Sequence, residues 1–323
     1  MIIKVIKSIH DPAYADLVCR AGTVFNSPGW LALYGDKLQL FGIYSGDDEL
    51  AGAFFLYRDR KAGFSFFENP PYTPHIGWMF ENKSQNHAKA LSHNKNAMEV
   101  LADFMQGLPV GVISCAFPFS ASDMQPFIWK KFKVVPRYTY RLPLALPVEE
   151  LEKRMTTEYR NRLRKAVKDG LSVEKITDYD VVKKLVLKTF DRKNKAIDTD
   201  LLEKILSGFA DASNSFAFAA MNNGQPVSAT LTIHDKSTAY YLLGGYDSDP
   251  AAKHGGAGIL CIWQSILHSR ESGLATFDFE GSMLPEVEPF FRRFGADLVP
   301  YFTVNKAWLP LEFLLKLLKR EQF

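Results

Sequence analysis

What most limits the folds open to this chain is an order of elements that occurs twice. In the second half, 215–221 (SFAFAAM), 227–234 (VSATLTIH) and 238–246 (TAYYLLGGY) read as strands joined by the short polar turns NNGQP and DKS. Asn-Gly tolerates positive φ, and three strands on such turns make an antiparallel meander. After HGGAG comes a helix, in which Ile259, Ile262, Trp263, Ile266 and Leu267 recur at helical spacing and Gly273 marks the stop. ATFDFEG reads as a strand, PEVEPFFRRFG as a short helix and LVPYFTV as a last strand. The first half runs through the same sequence of types. KLQLFGIYS, ELAGAFFLYRD and GFSFFENPP form a meander, 87–108 a helix, VGVISCAF a strand, SDMQPFIWKKF a short helix and KVVPRYTYRLPL a strand.

The halves share no visible sequence identity, so the repeat is one of architecture. The prolines of LPLALPVEEL end a strand before a helix begins, which sets the first unit at 1–146 and the second at 147–323. Further helix is expected at 149–168, 179–190 and 199–210. The fold class expected is α/β (α+β), each unit a mixed, largely antiparallel sheet flanked by helices. With 323 residues and 47% hydrophobic content, both units can bury a core. A two-unit chain needs no second copy to do so, and a monomer is expected.

Charge and cysteine usage exclude several functions. Charged residues are 23% and the net charge is +3, too small for bulk charge to mark a nucleic-acid binder. Cys19, Cys115 and Cys261 are far apart with no CxxC, so neither a disulfide framework nor a zinc site is indicated. They read as small buried hydrophobes in a reducing compartment. The seven histidines show no metal spacing, and no metal is expected. The first residues lack a signal peptide's apolar run, and no stretch reaches membrane-spanning length. A cytoplasmic location is the default.

Three places could carry chemistry. Asp278 and Glu280 lie two apart on a strand, which points both to one face. Nearby carboxylates raise each other's proton affinity, so one could serve as a general base. The structural alternative pairs them with Arg292 or Arg293. Gly255, Gly256 and Gly258 stand at a helix N-terminus, where free N–H groups and the dipole favour an anion and glycines admit a phosphate closely. Plain turn geometry explains them equally well. In EYRNRLRKAVKDG, Met155, Tyr159, Leu163 and Val167 form an apolar stripe, with Arg160, Arg164 and Lys168 on an adjacent face. That face is either solvated or a patch for substrate phosphates, which Arg192, Lys193 and Lys195 would extend. The amphipathic AWLPLEFLLKLLKR is expected to pack on its own domain, a membrane surface being the alternative.

A meander, a glycine-started helix, then strand, helix and strand resembles the GNAT acyltransferase fold. Two in tandem resemble the Fem-type aminoacyltransferases and the FemAB-like or BioF2-like acetyltransferases. RNRLRKAVKDGLSV resembles that family's arginine-lysine helix, and FDFEGSMLPEVEPFFRRFGADLVPY its acidic strand, Gly-Ser, phenylalanines and Phe-Gly. NSPGWLALYG and PPYTPHIG resemble first-unit segments, so the resemblance spans nearly the whole chain.

The resemblance implies transfer of an acyl or aminoacyl group to an amine of a cell-wall, polysaccharide or small-molecule precursor. The donor it implies is acyl-coenzyme A (acetyl-coenzyme A), with aminoacyl-tRNA the alternative. Its pyrophosphate would lie at His254, Gly255, Gly256, Ala257 and Gly258, although HGGAG lacks the family's Gln or Arg ahead of the glycines. Glu280 or Asp278 would deprotonate the acceptor amine, Tyr246 would protonate the leaving group or orient the donor, and Arg164 and Arg192 would hold substrate phosphates or carboxylates. The strand TAYYLLGGY would offer N–H groups to the developing oxyanion. A non-catalytic binding module on the same fold is the contrasting reading.

Overall fold

The computed structural model describes residues 1–46, 49–61, 63–109, 111–249, 254–281, 283–318 and 321–322. Its two compact units are Met1–Arg137 with Pro300–Phe323, and Tyr138–Val299. Their bounds differ from a junction at 146/147, for a reason that lies in two strands.

The first unit begins with β1 (Ile2–Val5), α1 (Pro12–Ala21) and α2 (Pro28–Ala32). The meander follows as β2 (Leu38–Tyr44), β3 (Leu50–Lys61) and β4 (Phe64–Glu68), and β5 (Met79–Phe80) adds to β3. Then come α3 (His87–Gln106), β6 (Val112–Ala116) parallel to β4, α4 (Gln125–Trp129) and the start of β7 (Lys133–Pro143). Helix α3 buries Ala97, Met98, Leu101, Ala102 and Met105, the spacing of one helical face, against Phe41, Phe54, Phe67 and Ile113. The segment PPYTPHIG is held in place by side chains: Thr73 Oγ1 accepts from Trp30 Nε1 at 2.9 Å, and Asn26 Nδ2 donates to the Gly77 carbonyl at 2.8 Å.

The second unit opens with α5 (Val148–Arg154) and α6 (Thr157–Lys168), one expected helix broken in two where Thr156 caps α6. Next are β8 (Ser172–Ile176), which periodicity did not suggest, α7 (Asp180–Arg192) and α8 (Thr199–Glu203), the last running into a π-helical turn. The meander is β9 (Ser215–Asn222), β10 (Gln225–His234) and β11 (Thr238–Tyr246). Asn223 and Gly224, at φ 50° and 74°, make its first turn as the Asn-Gly pair predicts. Then follow α9 (Ala257–Glu271), β12 (Thr276–Asp278) parallel to β11, α10 (Glu288–Arg292), β13 (Asp297–Ala307) and α11 (Leu309–Leu318).

Each repeat is completed by the strand that follows the other repeat. In the first unit β6 pairs antiparallel with Thr303–Ala307 of β13, and Val304 is buried in that core. In the second unit β12 pairs antiparallel with Arg141–Pro143 of β7, and Tyr140, Leu142 and Leu144 join the core around Ile262, Trp263, Phe277 and Phe294. Cys115 and Cys261 are buried, whereas Cys19 is exposed.

Candidate active site

The end of β12 is gripped from both sides. Register sets Asp278 opposite Tyr240 on β11 and opposite Arg141 on β7. Side chains directly opposite share a face, so a phenol, a carboxylate and a guanidinium meet in one row. Arg141 Nε lies 3.1 Å from Asp278 Oδ2, and Thr139 Oγ1 donates to Asp278 Oδ1 at 2.7 Å. The Glu280 N–H donates to the same oxygen at 2.9 Å, and Gly281 N–H reaches Thr139 Oγ1 at 3.1 Å. Burial pushes the Asp278 carboxyl up, while Thr139, the Glu280 N–H and Arg141 pull it down. The Tyr240 hydroxyl donates to Asp235 at 3.0 Å, and burial followed by the charges of Asp235, Glu280 and Asp278 raises it well above a free phenol.

Glu280 does not stand on the strand. Strand β12 ends at Asp278, and Glu280 has φ 60°, the left-handed region that an L side chain enters at a cost. The reason is local: the chain turns back so that the N–H groups of Glu280 and Gly281 reach Asp278 and Thr139. The two carboxylates are therefore neighbours through a turn rather than through a pleat. Burial, then the charge of Asp278, push the Glu280 carboxyl well above the usual range, with Arg141 opposing. The expected pairing with Arg292 or Arg293 is corrected as well. Arg292 holds Glu288 and Arg293 faces Glu158, and the guanidinium on Asp278 belongs to Arg141, more than a hundred residues earlier.

Strands β11 and β12 pair only from Thr238/Thr276 to Tyr240/Asp278, after which β11 continues to Tyr246. At this divergence the other side of β11 is irregular too. Thr232 opposes Tyr241 and Leu231 opposes Leu243, which leaves Leu242 without a register partner, a β-bulge. Such a bulge turns backbone groups out of the ladder, two residues along β11 from the level of Asp278. No sequence signal marked it.

The glycine-started helix forms as expected, and its glycines divide by role. Gly256 is the N-cap of α9, and a Cβ there would meet Ala166 Cβ at 2.8 Å and the Arg162 carbonyl at 2.9 Å, so α6 can approach only a glycine. Gly255 has open space on that side and Gly258 only ordinary contacts. His254 Nδ1 accepts the Gly256 N–H at 3.1 Å, and its Nε2 lies 3.0 Å from Asp169 Oδ2. The first-turn N–H groups of Gly258 and Ile259 have no acceptor among the described residues. These residues suit a pyrophosphate: free donors, a dipole end and room at Gly255. Among the described residues no cluster of His, Cys, Asp and Glu suits a metal ion.

Tyr246 and Arg192 come together, the guanidinium 4.2 Å from the ring centroid. They stand at the far end of β11, six residues beyond Tyr240, roughly 20 Å along a strand from the level of Asp278. Arg164 lies elsewhere, in a cleft of about 430 Å³ whose lining includes Arg160, Leu163, Lys168, Leu260 and Trp263. Val167, expected to extend the buried stripe of Met155 and Tyr159, is 61% exposed and also lines it. Arg164 and Lys168 meet no carboxylate among the described residues, while Glu152 stands on the lining as its one acid. Ser282 of the Gly-Ser turn lies outside the described residues.

Residues 153–292 match the family described as acetyltransferase (GNAT) domain. No curated protein matches the chain. Among solved structures, a crystal structure of FemX superposes with a TM-score of 0.67 at 14% identity, over 98% of this chain and 100% of its own. The L-PGS from Bacillus licheniformis gives a TM-score of 0.58 at 11% identity, covering 97% and 98%. A tandem GNAT protein from the clavulanic acid biosynthesis pathway gives 0.54 at 12%, covering 94% and 97%. The shared property at these identities is the fold, which is the tandem architecture read from the order of elements.

Proposed function

We propose, from the match of residues 153–292 to a GNAT acetyltransferase domain, that the chain is an acyltransferase that moves an acyl group from acyl-coenzyme A to an amine. The acceptor we propose is a cell-wall, polysaccharide or small-molecule precursor, a reading supported by the Fem-type resemblance. The observation that carries the proposal is the placing of Glu280, its carboxyl raised by burial and by the charge of Asp278, at the point where β11 and β12 diverge beside the Leu242 bulge.

The residues divide the work as follows. Gly255, Ala257 and Gly258, with His254 orienting the helix start, would hold the donor pyrophosphate, and Gly256 keeps α9 against α6. The amine attacks the thioester carbonyl, an amide C–N bond forms as the C–S bond breaks, and coenzyme A leaves as a thiolate that takes its proton from solvent. Glu280 takes the proton of the acceptor amine, and its raised pKa makes it a better base near neutral pH than an ordinary carboxylate. Asp278, fixed by Arg141 and Thr139, maintains that pKa through its charge. Backbone N–H groups at the bulge face the developing oxyanion. Tyr240, beside the acid pair, replaces Tyr246 as the phenol nearest this chemistry, and Tyr246 with Arg192 is left for contacts further along the donor. Arg164 and Lys168 would receive substrate phosphates.

The test is calorimetric titration with acetyl-coenzyme A, followed by thiol release in the presence of amino sugars and diamines. Binding together with acceptor-dependent release that falls in Glu280→Gln supports the proposal. No binding by the folded chain overturns the coenzyme A donor. Aminoacyl-tRNA is the second reading, favoured by the uncompensated Arg164 and Lys168, and charged tRNA is then the donor to titrate.

A further inference from the structure

Helix α11 is apolar on nearly every side. Leu311, Glu312 and Leu315 are partly covered, Glu312 accepts from the Ala307 N–H, and Trp308 N–H donates to the Gly111 carbonyl. Those contacts tie down one face. The rest is open: Leu309 is 79% exposed, Phe313 and Leu317 70% each, and Leu318 72%, with Trp308 ahead of them at 62%. The expected packing of this segment on its own domain is thus only partly realised, since a single face rests on the first unit. A helix apolar all round is ordinarily buried, so the outer face calls for a cover.

The surroundings say what kind. Lys306, two residues before Trp308, donates to the Lys130 carbonyl at 2.8 Å, which brings in the end of α4. There Ile128 and Trp129 are each 54% exposed. Three of the nearby carboxylates are already matched, Asp103 by Lys130, Asp123 by Lys95 and Glu312 by Lys316, while Glu321 beyond the end of α11 is exposed. Lys131 and Lys133 are exposed and meet no carboxylate among the described residues. The surface is therefore apolar, carries two exposed tryptophans and is edged by net positive charge. A second copy docked through the same patch would bring two sets of Lys131 and Lys133 into one apolar interface, whereas an anionic lipid surface would neutralise them.

We propose that α11, with the Ile128–Lys133 segment, is a membrane-surface site for anionic lipid. At ten residues the helix is about 15 Å long, far short of a bilayer core, so it lies in the interface with Trp308, Phe313 and Leu317 inserted. The lysines then meet lipid phosphates.

Sedimentation of the full chain with vesicles tests this. Binding to phosphatidylglycerol vesicles is expected, weaker binding to phosphatidylcholine, and release by salt. The double substitution Phe313→Ser and Leu317→Ser should abolish binding to both without lowering the thermal midpoint, since both side chains are exposed. Lys131→Ala and Lys133→Ala should each weaken binding to phosphatidylglycerol about fivefold and leave phosphatidylcholine unchanged. Failure of the chain to bind phosphatidylglycerol overturns the proposal, as does binding indifferent to Phe313→Ser and Leu317→Ser. Self-association lost in that same variant, without vesicle binding, would instead name a second copy as the cover.

Discussion

Glu280 combines two costs in one side chain, a left-handed backbone and a carboxyl held above its usual pKa beside Asp278. Strain of this kind persists where a site over-determines it. Glu280→Gln keeps the shape and removes the base, so turnover should fall by about 10²–10⁴, the ordinary range for losing a general base. In the wild type, kcat/KM should rise with pH through the raised pKa, and that rise should vanish in the variant. The stability profile has the opposite sign. Above the unfolded carboxyl's pKa the folded state still holds the proton, so stability is greatest below that value and declines as pH rises through the folded one. Unfolding midpoints across that window should be flatter for Glu280→Gln than for wild type. Glu280→Gly removes strain and buried carboxyl together. It should unfold no more easily than wild type while losing activity, and a marked destabilisation would show that the residue is structural.

At the scale of elements, the contact between α6 and α9 decides which glycines are packing and which are site. Gly256 meets Ala166 and the Arg162 carbonyl below 3.0 Å, so Gly256→Val must push the helices apart. A loss of about 1–3 kcal/mol in chemical denaturation is expected, the usual range for overpacking. Gly255→Ala has room for its methyl and should leave stability unchanged. Weaker acetyl-coenzyme A binding in Gly255→Ala would therefore report on the anion site itself, which Gly256 variants cannot do. The HGGAG run announced a helix start correctly, but not that one of its glycines serves a neighbouring helix. That assignment depends on α6, whose backbone passes the site about ninety residues earlier in the chain.

For the whole molecule, strand exchange sets where a domain begins. Tyr140, Leu142 and Leu144 belong to the second unit's core, so a fragment starting at 147 lacks three buried side chains and a neighbour for β12. We expect 147–299 to unfold without cooperativity and 138–299 to retain a cooperative transition in urea. Equal behaviour of the two would return the boundary to 146/147. The acid limb of stability has a separate origin. His75 is buried and its Nδ1 accepts the Gly77 N–H, and burial lowers it from 6.5 to about 4. Between those values the unfolded chain takes a proton that the folded chain refuses, so stability falls as pH drops from 6.5 towards 4, by about 3 kcal/mol in all. His75→Gln should remove most of that loss in unfolding curves recorded across the window.

Turn chemistry and periodicity are local properties, so the residues alone reveal the two-unit architecture and the order and type of most elements, β8 and the break between α5 and α6 excepted. They mark the acidic residues and the glycine-started helix for the same reason. Only the folded chain shows that Arg141 and Tyr240 flank Asp278, that Leu242 is bulged, that Gly256 is a packing glycine, and that α11 leaves its apolar face uncovered. Each of these depends on which distant segment arrives alongside, through strand register or helix contact, and register between segments far apart in the chain leaves no periodic trace in either one.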